Sequence, residues 1–239
     1  MDEARAASRR VAFFGGSFDP PHFGHLAVAR AARAALSLDA VLFAPVGAQP
    51  LKPAGSVACF DDRVAMTRLA LAGEPGFELS LADAPRPSGL PNYTLETLQA
   101  LQSELAPGSA LFCLMGADAF VGLKSWRGAA RIPFVAPLIV ASRPGLALAT
   151  LKAALPQGLT VEARQDAGPA GRGVDLRCWL LHNAAGETAP FYLLPGLHVD
   201  VSASEIRRQL GPAVENFSVG PELLPPAVAE YIRTHRLYC

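Results

Sequence analysis

The chain has 239 residues, 51% of them apolar and 18% charged, enough to bury a sizeable core in one large or two small domains. Its 21 basic and 21 acidic residues cancel, which argues against the basic surface that general nucleic-acid binding requires and leaves room for a local basic pocket. The longest apolar region, Ile132–Ala141, is interrupted by Pro133 and Pro137 and is too short to span a bilayer, so no membrane partner is expected.

Residues 1–10 mix Asp2 and Glu3 with Arg5, Arg9 and Arg10 and lack the apolar stretch of a secretory signal. They are expected to form a short flexible arm. Val11–Phe14 reads as the first strand. It runs straight into Gly15-Gly16-Ser17-Phe18-Asp19-Pro20-Pro21-His22-Phe23-Gly24-His25 and then a helix from about Gly24 to Leu36. A strand that turns through glycines into a helix N-terminus is a ready phosphate site, because the backbone can approach an anion and the first amides point at it. His22 and His25 lie three residues apart, so a helix stacks them on one face. The glycine order is neither the dinucleotide pattern nor the P-loop. Asp19 is expected to cap the turn.

Ala40–Ala44 reads as the second strand, a helix is expected from about Asp61 to Ala72, and Phe77–Leu81 reads as another strand. Leu95, Leu98, Leu101 and Leu105 follow helical spacing, with Asn92 or Thr94 available as N-cap. Ala110–Leu114 and Leu138–Ala141 are continuous apolar runs, as expected for strands covered on both faces. Leu146–Leu155 is a weaker helix. Residues 156–186 are poor in periodicity and rich in Gly, Ala and Arg, and read as an insertion or a long loop. Phe191–Leu194 is the last strand expected. Ser202 and Glu205 have capping-box spacing, so a helix should begin there; its amides, the serine hydroxyls and Arg207 can all address phosphate. The alternation predicts an α/β doubly wound, mostly parallel sheet, with ligands beyond the carboxyl ends of the strands. The glycine loop and Gly116-Ala117-Asp118 would then face one crevice. Cys59, Cys113, Cys178 and Cys239 are scattered without metal-ligand spacing, and read as reduced thiols of a cytoplasmic protein.

The glycine/His run resembles the signature of the His-x-x-His nucleotidyltransferase superfamily, and the chain from about Val11 to its end resembles the nicotinate-nucleotide adenylyltransferase family. That resemblance implies a Rossmann-like nucleotidyltransferase fold in one domain, 11–239, with a phosphate-binding helical part from about 202. It implies adenylyl transfer from ATP to nicotinate mononucleotide in NAD biosynthesis. Ser202-Ala203-Ser204-Glu205-Ile206-Arg207 is similar to the family's C-terminal motif, with Val201 and Ala203 as departures; a Lys-Met-Ser-Lys-Ser segment, needed by class I aminoacyl-tRNA synthetases, is absent. By the resemblance, His22, His25 and Arg207 are catalytic. Gly15, Gly16, Ser17, Phe18, Gly116, Asp118, Ser202 and Ser204 join them in binding ATP.

The same resemblance assigns Tyr93 and Thr94, in Asn92-Tyr93-Thr94, to recognition of the pyridine ring and its carboxylate, and Trp126 to stacking on the ring. Lys52 would hold a substrate phosphate. Asn92, Gly47, Gln49 and Leu51 depart from the family pattern. Arg63 orients loops, contacts phosphate, or forms a surface salt bridge. Mg²⁺ arrives with ATP, held mainly by the nucleotide and water, and no protein metal cage is expected. The oligomeric state stays open, a homo-oligomer included. Alternative readings are transfer to nicotinamide mononucleotide or pantetheine phosphate, cytidylyl transfer, or a nucleotide-binding regulator without catalysis.

Overall fold

A computed structural model describes residues 7–51, 55–142, 148–163, 175–196, 201–210, 220 and 222–238. In chain order the elements are β1 (Arg10–Gly16), α1 (Phe23–Leu36), β2 (Ala40–Pro45), α2 (Phe60–Leu71), β3 (Phe77–Leu79), α3 (Thr94–Glu104) and β4 (Ala110–Gly116). Then follow α4 (Ala117–Val121), two 3-10 turns at Leu123–Ser125 and Ala129–Arg131, α5 (Ile132–Val135), β5 (Leu138–Ala141) and α6 (Leu148–Ala154). The chain continues through β6 (Leu159–Ala163), β7 (Arg177–Asn183), β8 (Thr188–Leu194), α7 (Ala203–Leu210) and α8 (Pro226–His235).

The strands form one sheet in the order β3-β2-β1-β4-β5-β8-β7-β6. From β3 to β8 all neighbours are parallel, and β7 runs against both of its neighbours. Side chains alternate across a strand, so Val11 and Phe13 enter one buried cluster while Ala12 and Phe14 enter the other. Both faces are covered, which is why the inner strands need apolar residues at every position. On one face α1 turns Leu26, Ala29, Ala32 and Ala35 inward, and the three alanines let the helix lie close to the sheet. On the other, α3 contributes Leu95, Leu98 and Leu101. The expected α/β, doubly wound and mostly parallel sheet is thus observed.

A third cluster joins Met66 and Ala70 of α2 to Ile206 and Leu210 of α7 and Val228 and Ile232 of α8. Each fully buried Ile or Leu there contributes about 1.5–3 kcal/mol. This packing brings the helix that carries Arg207 to the glycine loop, and Phe23 N–H donates to the Leu223 carbonyl (3.1 Å) just before α8.

Residues 156–186 are not simply a loop. β6 and β7 extend the sheet beyond β8, with residues 164–174 outside the described set. The signal was weak because β6 is an edge strand that buries only Leu159, and because β7 buries just Cys178, Trp179 and Leu181 amid polar neighbours. At the other end, Arg10 already belongs to β1, and the Arg9 N–H donates to Ser109 Oγ (3.0 Å), so the expected arm is tied to the sheet at its last two residues. Among the described residues no helix is long and apolar enough to cross a membrane.

Candidate active site

β1 and β4 lie side by side, and the chain leaves them towards opposite edges of the sheet, so the crevice at their carboxyl ends is the topological switch point. A cavity of about 670 Å³ opens there. Gly15, Gly16, Ser17, Gly116, Asp118, Tyr93, Thr94 and Trp126 line it, so the glycine loop and the residues after β4, about a hundred positions apart, share one wall as expected. A Cβ on Gly15 would come within 2.8 Å of the Phe13 ring, so the loop there needs a glycine to pass.

His22 takes the N-cap position of α1 in extended backbone geometry, and neither it nor His25 nor Arg207 lines the cavity. The His22 and His25 rings stack with centroids 3.7 Å apart. His22 N–H donates to His25 Nδ1 at 3.2 Å, which leaves the ring proton of a neutral His25 on Nε2, ready to donate to an anion. Burial, then the neighbouring His22, holds the His25 pKa well below its ordinary value, so the ring is neutral at pH 7. Phe18 is buried and its ring packs edge-on against His25, 4.9 Å between centroids. Any contact of Phe18 with ATP is therefore left to its backbone.

Asp19 does more than cap its own turn. Its carboxylate accepts from Val57 N–H (2.7 Å), Ala58 N–H (3.1 Å) and the Tyr238 hydroxyl (2.7 Å), while its carbonyl accepts from Arg207 Nη1 (2.6 Å). Burial, and then the bond to Asp19, pushes the Tyr238 phenol up, so it stays a donor. Arg63 is buried and donates to the carbonyls of Ser17 (2.8 Å), Val46 (2.8 Å) and Ala58 (3.3 Å). It holds three loops around the site, and among the described residues it forms no surface salt bridge. Ser202 Oγ accepts from Glu205 N–H (3.1 Å) and so caps α7. Glu205 does not complete the capping box; its carboxylate pairs with exposed Arg208 instead (3.2 Å). Ser204 Oγ accepts from Arg207 Nη2 at 3.3 Å.

Neither Asn92 nor Thr94 is the N-cap of α3; Tyr93 holds that position and Thr94 opens the helix. Asn92 is buried and staples two loops instead. Its Oδ1 accepts from Ala48 N–H (3.1 Å), its N–H donates to the Ala48 carbonyl (3.0 Å) and its Nδ2 donates to the Ala84 carbonyl (3.0 Å). A Cβ on Gly47 would sit 2.5 Å from Pro85 N, so this close crossing excludes any other residue. Gln49 Nε2 donates to Ser17 Oγ (2.6 Å), tying the same loop to the glycine run. Asn92→Ala should lower stability by about 1–3 kcal/mol through the buried groups it strands. A thermal midpoint unchanged from the parent would show that the loops hold without it.

Sequence reasoning missed Asp83, a buried carboxyl on the cavity wall that accepts from Thr97 Oγ1 (2.5 Å). Burial raises its pKa, against the hydrogen bond from Thr97. Burial, with help from Asp83, pushes the nearby Cys113 thiol up to about 12, so it is not a nucleophile at neutral pH. A buried Thr inside a helix was the sole hint of this pair. Lys52 lies outside the described residues.

The cytidylyltransferase-like family matches residues 13–209, which hold the glycine loop, the His pair, the cavity wall and Arg207. The "Probable nicotinate-nucleotide adenylyltransferase" of Solibacter usitatus is 34% identical over 229 residues, covering 96% of this chain and 99% of that protein. The protein so named in Roseiflexus sp. is 35% identical over 237 residues, covering 97% and 99%. The chain belongs to the nicotinate-nucleotide adenylyltransferase family. Its fold is shared with Plasmodium falciparum nicotinic acid mononucleotide adenylyltransferase, solved in complex with NaAD, at a TM-score of 0.66 and 18% identity over 96% of this chain and 97% of that one. Within the family pattern, the departures at Gly47, Gln49 and Asn92 fall on one structural unit, the pair of loops stapled beside the cavity.

Proposed function

We propose that this protein transfers the adenylyl group of ATP to nicotinate mononucleotide, forming deamido-NAD. A phosphate oxygen of the mononucleotide forms a bond to the α-phosphorus of ATP. The bond from that phosphorus to the β-bridging oxygen breaks, and pyrophosphate leaves. The observation that carries the reading is the stacked His22–His25 pair at the start of α1, with Arg207 docked on Asp19 next to it. Neutral His25 would donate from Nε2 to the phosphate that gains charge, and Arg207 with the capped start of α7 would hold the leaving pyrophosphate. No covalent enzyme intermediate is required, since positioning and charge stabilisation suffice. Ser17, Gly116 and Asp118 are assigned to ATP, Asp118 to the ribose hydroxyls. Tyr93, Thr94 and Trp126 are assigned to the pyridine nucleotide, and Lys52 to a phosphate.

The donors around the His pair are amides, imidazoles and guanidiniums, and the buried Asp19 carboxylate is already taken by three donors. That set suits an anion, so Mg²⁺ would enter on the triphosphate and neutralise its charge. The reading places the enzyme in the cytoplasm, where exposed thiols such as Cys59 stay reduced.

Pyrophosphate release measured across candidate acceptors tests the reaction. Nicotinate mononucleotide should exceed nicotinamide mononucleotide in kcat/KM by about ten- to a hundredfold, because amides at the start of α3 bond more strongly to a carboxylate than to an amide. Equal values, or preference for the amide, would refute the acceptor and leave adenylyl transfer standing. Release with none of the mononucleotides or pantetheine phosphate would refute the reaction.

A further inference from the structure

We propose that Arg127 is a specificity-determining residue, whose guanidinium takes the carboxylate of the acceptor's pyridine ring. The inference rests on the reading above that the acceptor is a pyridine mononucleotide. Arg127 directly follows Trp126, and both line the cavity. Among the described residues it is the one cation on that wall. Its guanidinium lies over the Tyr93 ring, 4.6 Å from the centroid, at the N-cap of α3. Stacking on an aromatic face orients the planar fork without neutralising it.

The carboxylate nearest to Arg127 leaves it available. Glu96 Oε1 stands 3.5 Å from Arg127 Nη1, while Glu96 Oε2 accepts from Arg86 at 2.8 Å. One carboxylate is shared between two guanidiniums, and Arg127 is exposed, so the weaker pair holds it loosely. Positive charge is thus left over beside the first turn of α3, whose leading amides lack intrahelical partners and also favour an anion. Two acidic groups share the wall. Asp83 is buried, bonded to Thr97 and pushed by burial towards its neutral form. Asp118 is exposed, in the first turn of α4.

Trp126, Thr94 and Arg127 share the wall and Arg127 lies over Tyr93, so a ring stacked on Trp126 with its substituent towards Thr94 would present that substituent to Arg127. A carboxylate accepts both prongs of the fork, whereas an amide offers one neutral oxygen and a donor that the guanidinium cannot use. The two mononucleotides share ring, ribose and phosphate, so this contact separates them. Tyr93 and Thr94 were expected to carry the discrimination alone; Arg127 adds a charge to their dipoles.

Equilibrium binding of nicotinate mononucleotide and nicotinamide mononucleotide should be measured by calorimetry on the parent protein, Arg127→Ala and Arg127→Lys, with thermal midpoints as a folding control. Arg127→Ala should weaken the acid by about tenfold and the amide by less than about twofold, and Arg127→Lys should recover part of the loss. A parallel loss for both ligands would assign Arg127 to their common phosphate or to support of Trp126, and would overturn the proposal. Unchanged affinity for the acid would overturn it equally. A parent protein that binds both mononucleotides yet releases no pyrophosphate would count against the reaction proposed above, and the ratio of affinities would still decide the role of Arg127.

Discussion

Replacing His25 by Ala should lower turnover by at least about a hundredfold, the scale of removing one preorganised donor to a charge that develops in the transition state. The proposed donor is His25 Nε2, and its tautomer is set by the His22 N–H. Stability should change far less. The variant loses a ring packed on Phe18 and leaves one amide without its acceptor, a cost of about 1–2 kcal/mol and a shift of only a few degrees in a domain of this size. Normal turnover together with a collapsed thermal midpoint would mean that His25 belongs to the core alone.

The same residue has a pH signature with a defined sign. Unfolded, His25 titrates near 6.5; folded, its pKa lies well below that value. Between the two, the unfolded chain binds a proton that the folded chain refuses, so stability falls as the pH drops through 6.5 towards the folded pKa. Above 6.5 the contribution is complete. The difference in thermal midpoint between parent and His25→Ala should therefore narrow from about pH 7.5 to about pH 5.5. A difference that is the same at both would show that His25 titrates normally.

Arg207→Ala should cut kcat/KM for ATP by about a hundredfold and leave the affinity for nicotinate mononucleotide within about twofold. The guanidinium spends one amino group on the Asp19 carbonyl and another contact on Ser204 Oγ. Those bonds dock the guanidinium on the turn that leads into His22. Unchanged rates at every ATP concentration would sink the assignment. Arg208 is the internal control: it is exposed, pairs with Glu205 and should tolerate Ala.

Much of this architecture was legible because it is local. The apolar runs at Val11–Phe14, Ala110–Leu114 and Leu138–Ala141 identify strands covered on both faces, and they lie where expected in β1, β4 and β5. His22 and His25 do not share a helical face as their spacing suggested, because His22 is the extended N-cap of α1 and His25 reaches back to it from the first turn, while the cap at Ser202 follows from the same spacing of three at the start of α7. β6 and β7 were missed because an edge strand needs few apolar residues, and the partner that completes its pattern lies elsewhere in the chain.

What the sequence by itself determined is the α/β order and where α1 and α7 begin, since backbone periodicity, glycine freedom and capping act over a few residues. Only the tertiary structure decided which partners Asp19, Arg63 and Asn92 take. Asp19 meets Tyr238 across 219 positions and Arg207 across 188, and Arg63 reaches Ser17 across 46. A buried charge or amide takes whatever partners the fold brings to it, because leaving it without one costs more than most single contacts contribute. Those partners come from loops whose meeting depends on the sheet order, and no spacing along the chain records it.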